Sequence, residues 1–225
     1  MLWRDRPGEK NPSRSPFIRA RKAEARYASM LRKIARHVGD IVSAFRRDDP
    51  GYAEKIAGAL DRYAGTIGEW AEAAASRMVE EVAARDRAAW MEASRRLGKS
   101  LREEIESAPT GKVMRERLQE QVRLIRSIPT DAAGRVRHLA TEAIVNGSRA
   151  DEIAKEVMRS GDVTASRANM IARTEVSRTA TDLTQARAEH IRSPGYFWRT
   201  AGDGDVRDSH RKMAGRFVAW DSPPT

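Results

Sequence analysis

Apolar residues recur at steps of three and four from Ala23 onwards, which is the spacing of an amphipathic helix. The pattern starts after Pro16 and ends at the motif RRDDPG, where Pro50 lacks a backbone donor and restricts the residue before it. The sequence therefore predicts a first helix between these two prolines. Its inward face is predicted to carry Ala23, Tyr27, Met30, Ile34, Val38, Ile41 and Phe45.

A second helical stripe runs from Ile56 to Val82 and can be followed past Trp90 as far as Ile105. Because both stripes are narrow, we expect the two regions to form an antiparallel hairpin that packs as in a bundle or coiled coil. Trp70 lies on this stripe and is predicted to be a core residue, not a ring on which nucleic-acid bases stack. Trp90 fits the stripe less well, and its role stays open.

The segment SAPTG at residues 107–111 is the predicted boundary to a region of shorter helices. Start and stop signals such as N-cap residues and glycines divide this region into four helices. The four span about 111–127, Thr130 (as N-cap) to Asn146, 148–161, and Thr164 to the pair Pro194-Gly195.

The chain changes character after Gly195. The segments YFWRT and RFVAW are short, aromatic and β-branched, which is typical of strands, and a helical turn is predicted near His210 between them. The predicted fold is mainly α, with an N-terminal helical hairpin or bundle followed by a small α+β module that has a short C-terminal β-element. The predicted divisions are a basic flexible arm (1–16), the hairpin (17–108) and the C-terminal module (109–225).

The 225 residues include no cysteine, which excludes disulfides and thiolate metal sites. No apolar run approaches the roughly 18 residues that a membrane-spanning helix needs. The basic N-terminus also lacks the apolar stretch of a signal peptide. We therefore expect a soluble protein without a membrane anchor.

The formal net charge of +10 is concentrated near the N-terminus. Residues 1–36 contain eleven Lys and Arg and three Asp and Glu, a net charge of +8. Such an arm attracts phosphates or an acidic protein surface, although a solvated tail that aids solubility explains it equally well. The cations predicted to bind are Arg4, Arg6, Lys10, Arg14, Arg19, Arg21 and Lys22.

The richest cluster of reactive side chains is the segment GDGDVRDSH at residues 202–210. A calcium loop is not expected, because an arginine occupies the fifth ligand position and the closing glutamate is missing. A zinc site is not expected either, since histidines are few and no pair has ligand spacing. Ser209 directly adjoins His210, whereas a catalytic triad needs these groups to converge in space. No metal and no cofactor are predicted.

A structural polar cluster is the preferred interpretation of the same segment. In it, carboxylates hold Arg207, and His210 bonds the backbone, because buried polar groups must be paired. Glu175, on the long helix, is expected to turn inward and to meet Arg207 or His210. Replacing Arg207 would then leave buried carboxylates unpaired and loosen the module.

The motif IARTEVSRT on the long helix is followed by the motif FWRTAGDGDVRDSH. These two motifs in this order resemble the phage head morphogenesis family, the Mu F-like minor head proteins of tailed phages. The resemblance covers about residues 140–220, and it departs from the family at Asp205, where arginine is usual. The matching residues are Arg173, Thr174 and Glu175, followed by Trp198, Thr200, Asp203, Val206, Arg207, Ser209, His210 and Gly215.

This resemblance implies a minor capsid protein and not an enzyme. It implies a position inside the phage head near the portal, after assembly in the host cytoplasm, with a role in head assembly and in DNA packaging or delivery. The expected partners are the portal protein, the capsid interior and packaged DNA, the last through the basic arm.

Two alternatives stay open. One is a metal-dependent nuclease or transferase that uses Glu175, Asp203, Arg207 and His210. The other is a stand-alone DNA-binding protein.

Overall fold

The computed structural model describes residues 20–45, 51–96, 99–146, 155–200 and 206–222. The arm at residues 1–16 and the pair Asp203 and Asp205 lie outside the described residues.

Helices make up most of the described chain. They are α1 (Arg21–Ser43), α2 (Tyr52–Thr66), α3 (Gly68–Ala93), α4 (Lys99–Ser107), α5 (Gly111–Asn146), α6 (Ser160–His190) and α7 (Asp208–Met213). The strands β1 (Gly195–Phe197) and β2 (Phe217–Ala219) pair antiparallel, with α7 between them in the sequence. The prediction of a mainly α fold with a short C-terminal β-element is confirmed.

The helices pack around α5 and α6. Helix α1 runs antiparallel along it, because Arg32 contacts Asn169 and Gly39 lies against Gly161. Helix α5 also runs antiparallel to α6, and α2 packs along α5. One apolar core extends through these helices from Ala20 to Leu183.

This packing corrects the predicted N-terminal hairpin. The apolar stripe of α1 is covered mainly by α6, and that of α2 mainly by α5, so the two regions find their main partners beyond residue 108. The division at residue 108 separates helices along the sequence, but helices on both sides of it share one core.

The second predicted stripe is divided by a break at Ile67, where α2 ends and α3 begins. Because the helix is interrupted, residues on either side no longer follow one continuous face. The prediction that Trp70 is a core residue is wrong, since 37% of this residue is exposed.

One predicted helix end is also wrong. Helix α5 continues through Pro129, and the Thr130 hydroxyl donates to the carbonyl of Arg126 inside the helix instead of capping a new one. The buried residues Ile128 and Ala132 anchor the helix on both sides of the proline, so tertiary packing outweighs the one backbone hydrogen bond that proline removes. The predicted stop at Gly161 lies two residues beyond the turn at Arg159, which separates helical residues 155–158 from α6.

Gly161 brings the backbone of α6 close to that of α1. A Cβ atom at this position would lie 3.3 Å from the Cα of Gly39. We expect Gly161→Leu to lower the free energy of unfolding by about 1–3 kcal/mol, because the two backbones must separate. Urea unfolding measures this, with Gly134→Leu as the control, since a Cβ there meets no atom within 4 Å. Equal effects of the two leucines would contradict the close packing.

Candidate functional site

The C-terminal hairpin is a two-faced aromatic ribbon. Its register places Tyr196 opposite Val218 and Phe197 opposite Phe217. Val218 is buried, and the Tyr196 ring lies 4.7 Å from the ring of Trp220. On the other face Phe197 and Phe217 meet edge to face at 5.6 Å and remain 58% and 50% exposed. The hairpin therefore presents an apolar pair to its surroundings.

Two motif residues shape the turn that leads into β2. Gly215 has φ +80°, a conformation that favours glycine, and its N–H donates to the carbonyl of Trp198 at 2.9 Å. The ring of His210, on α7, approaches the Trp198 ring edge-on at 5.4 Å. These contacts hold α7 against the end of β1, and His210 serves as an aromatic neighbour in this arrangement.

The charged residues of the same motif lie on the surface. Arg207 and Ser209 are exposed, and Thr200 is half-buried. Within the described part of the chain, Arg207 contacts no carboxylate; the ion pair seen on α7 joins Arg211 to Asp208 at 3.7 Å. The predicted polar cluster around Arg207 is therefore not formed among these residues, and its proposed acids, Asp203 and Asp205, are outside them.

The motif on α6 is split between surface and core. Arg173 and Thr174 are exposed, whereas Glu175 is buried. The Glu175 carboxylate accepts a hydrogen bond from Gln121 Nε2 at 2.7 Å, and Gln121 Oε1 accepts one from the Tyr27 hydroxyl at 3.0 Å. Glu175 does turn inward, but its partners lie on α5 and α1. The prediction that it meets Arg207 or His210 is wrong.

The same geometry bears on the alternative of a catalytic cluster. Glu175 is held inside the bundle by Gln121, while Arg207 and His210 are exposed near the hairpin. A catalytic acid, base and anion clamp must converge on one reacting atom. The described members of the proposed nuclease cluster do not converge.

Burial and the charge of Glu175 raise the pKa of the Tyr27 hydroxyl above its usual value near 10. A tyrosine whose pKa is raised in the folded state stabilises the fold below its unfolded pKa, and this contribution is lost as pH rises above that value. The Tyr27–Gln121–Glu175 chain is thus fully formed at neutral pH and weakens in alkali.

We expect Tyr27→Phe to lower the free energy of unfolding by about 1–2 kcal/mol at pH 7, because Gln121 Oε1 is left buried without its donor. The difference from the wild type should shrink above about pH 10, where only the wild type loses the contribution of Tyr27. Urea unfolding at pH 7 and pH 10.5 measures both effects. A difference that stays constant or widens with pH would contradict the assignment.

The sequence analysis did not predict a second buried polar cluster. Arg187 Nε donates to Asp86 Oδ2 at 2.8 Å, and the two side chains are only 5% and 2% exposed. The other Asp86 oxygen accepts from the Thr184 hydroxyl at 2.7 Å, and Arg187 also donates to the carbonyl of Ile105 at 2.7 Å. This cluster joins α3, α4 and α6.

Desolvation raises the pKa of Asp86, while the bonds from Thr184 and Arg187 oppose that shift.

The sequence contains a signal for the pair Asp86 and Arg187. Asp86 follows Val82 at a step of four on the apolar stripe, and Arg187 follows Leu183 in the same way. A charge on a buried stripe requires a partner.

The predicted basic arm enters the described structure only at its end. Arg21 and Lys22 are exposed in the first turn of α1, and the other five cations precede residue 20. Among the described residues, no helix is long and apolar enough to cross a membrane.

Comparison with known proteins identifies relatives of part of the chain. Residues 134–225 match the family described as phage Mu protein F like protein, which confirms the resemblance seen in the two motifs. A protein of Haemophilus influenzae (strain Rd), described as uncharacterized, is 33% identical over 103 residues, or 46% of this chain. The matched segment spans 23% of the relative, about a quarter of its length. No solved structure matches the chain.

Proposed function

We propose that this chain, whose residues 134–225 match the phage Mu protein F-like family, is a minor capsid protein of a tailed phage. It acts inside the head near the portal, where it aids head assembly and the packaging or delivery of DNA. The observation that carries this proposal is the family match, which includes both the motif on α6 and the hairpin.

The described geometry supports an assembly role over a catalytic one. The one carboxylate of the α6 motif is used to join three helices, and the aromatic pair Phe197 and Phe217 is left exposed on the hairpin. Exposed apolar pairs flanked by polar residues are typical of protein interaction sites. We assign the hairpin to contact with the portal protein or the capsid interior.

The basic arm is assigned to packaged DNA. Residues 1–36 have a net charge of +8, and cations that neutralise phosphates release bound counterions. Deleting residues 1–16 removes Arg4, Arg6, Lys10 and Arg14. We expect the slope of log K for duplex DNA against log salt to become shallower by roughly 3 to 4, at about 0.9 per lost phosphate contact. Fluorescence anisotropy titrations between 50 and 200 mM salt measure the slope. Over this range, every two phosphate contacts change the affinity by about tenfold. A slope that the deletion leaves unchanged would refute the arm as the DNA contact.

Particle composition tests the proposed role. Procapsids and virions are purified from cells that make the wild-type phage, and from cells in which the gene is deleted and supplied in trans. Quantitative mass spectrometry should detect the chain in low copy relative to the major capsid protein in both kinds of particle. Its absence from procapsids and virions would overturn the proposal. Metal-dependent DNA cleavage that His210→Ala abolishes would favour the enzyme alternative.

A further inference from the structure

We propose that a groove between α1 and α6 binds an acidic amphipathic helix of a partner protein. The groove lies beside the α6 motif and has a volume of about 570 Å³. It is formed by Arg21, Ala25, Ala28, Arg32, Met170 and Arg173, with Glu24 and Asn169 on its walls. This inference goes beyond the proposed function and does not depend on a role in the phage head.

The floor of the groove is apolar. Ala25 and Ala28 lie one turn apart on α1, and their small side chains leave a depression between the two antiparallel helices. Met170, on α6, is 59% exposed and adds a large apolar side chain to the groove. Methionine is flexible and polarizable, and it recurs on surfaces that bind helices. The depression therefore offers an apolar contact to a third helix.

The rim of the groove is cationic. The guanidinium groups of Arg21 and Arg173 have no hydrogen-bond or ion-pair partner within the described residues, and the Arg32 guanidinium donates to the neutral amide oxygen of Asn169 at 2.8 Å. Glu24 supplies the acidic side chain of the lining. Three guanidiniums and one carboxylate leave the rim positive, so it complements a partner with Asp and Glu on both sides of an apolar stripe.

The apolar floor favours a protein helix over nucleic acid. DNA backbone contacts use cations and polar donors, and an apolar floor adds nothing to a phosphate. A helix that inserts leucine or methionine against Met170 uses both features, because its acidic flanks meet the arginines at the rim. The exposed side of the α6 motif thus has a use that differs from that of Glu175, which serves the core.

The probe is a fluorescein-labelled synthetic helix of 18 residues, with leucines at i, i+3, i+4 and i+7 and glutamates on the flanks. A peptide of the same composition in scrambled order and a labelled 20-base-pair DNA duplex serve as comparison ligands. Anisotropy titrations use the full chain and three variants, Arg173→Glu, Met170→Asp and Arg178→Glu. Arg178 is exposed on the same helix, about 140° around from Arg173, and is the matched control.

We expect the ordered peptide to bind the wild type at least tenfold more tightly than the scrambled one. Arg173→Glu and Met170→Asp should each weaken that binding at least tenfold, and Arg178→Glu should change it less than threefold. Thermal melts verify that every variant is folded. The proposal is overturned if the ordered peptide does not bind, if Arg173→Glu leaves its binding intact, or if only the duplex binds and Arg173→Glu weakens it.

Discussion

Replacing Arg187 by methionine is expected to lower the free energy of unfolding by about 3–5 kcal/mol, the largest effect of any single substitution considered. Arg187 and Asp86 are almost completely buried, and the substitution leaves the Asp86 carboxylate without its cation. It also removes the donor to the carbonyl of Ile105, which joins α4 to α6. Urea unfolding followed by circular dichroism measures the loss.

Arg207→Met is the matched control, because it makes the same change at an exposed arginine of the family motif. This variant should unfold like the wild type, which reverses the expectation that the sequence alone suggested for Arg207. The double variant Asp86→Leu/Arg187→Met should recover at least half of the loss, since removing both charges leaves none unpaired. If the Arg187 and Arg207 variants unfold alike, the buried pair does not stabilise the bundle.

Gly195→Ala is expected to abolish the C-terminal hairpin while leaving the helical bundle folded. A Cβ atom at this position would lie 2.1 Å from the carbonyl oxygen of Val218 and 2.9 Å from the Cα of Ala219. Both are backbone atoms of the partner strand, so no side-chain rotation relieves the clash. Because helices dominate the fold, far-ultraviolet circular dichroism should change little. Near-ultraviolet circular dichroism should lose the signal of the paired aromatic rings.

Alanine substitutions at two other glycines are expected to have smaller effects than Gly195→Ala. At Gly134, on α5, an added Cβ meets no atom within 4 Å, so Gly134→Ala should preserve or slightly increase stability. At Gly215 there is also space, but φ is +80°, so Gly215→Ala should strain the turn at a cost of about 1 kcal/mol. A near-ultraviolet spectrum of Gly195→Ala that matches the wild type would refute the close strand packing.

Local patterns in the sequence were sufficient to predict most elements. Of the stripe from Ala23 to Val38, all predicted residues but the half-buried Met30 are buried in α1, and the aromatic segments after Gly195 form the two strands. The long helix that ends before Pro194 is α6. These features depend on periodicity and turn residues, which act over a few positions.

Contacts between distant segments could not be predicted in the same way. An apolar stripe does not specify which helix covers it, so α1 was expected to pair with the next region and pairs with α6 instead. Pro129 signals a helix end, but burial of Ile128 and Ala132 carries α5 through it. In both cases tertiary packing overrides a local preference.

The candidate site shows the same limit. The inward turn of Glu175 could be predicted because it lies on a helix beside apolar residues. Its partner Gln121, however, lies 54 residues before it in the sequence, and Tyr27 lies 94 residues before Gln121. Asp86 and Arg187 are separated by 101 residues, so no local motif contains both. The sequence indicated only that each charged residue lies on an apolar stripe and therefore needs a partner.

Protease protection tests the central claim, an assembly protein inside the phage head, most directly. Intact virions and heads opened by osmotic shock are treated with the same protease, alongside the purified chain, and the remaining chain is quantified by mass spectrometry. We predict that the chain survives in intact virions and is cleaved in opened heads and in free solution. Cleavage in intact virions at the rate seen in opened heads, or absence from the particles, would contradict the claim.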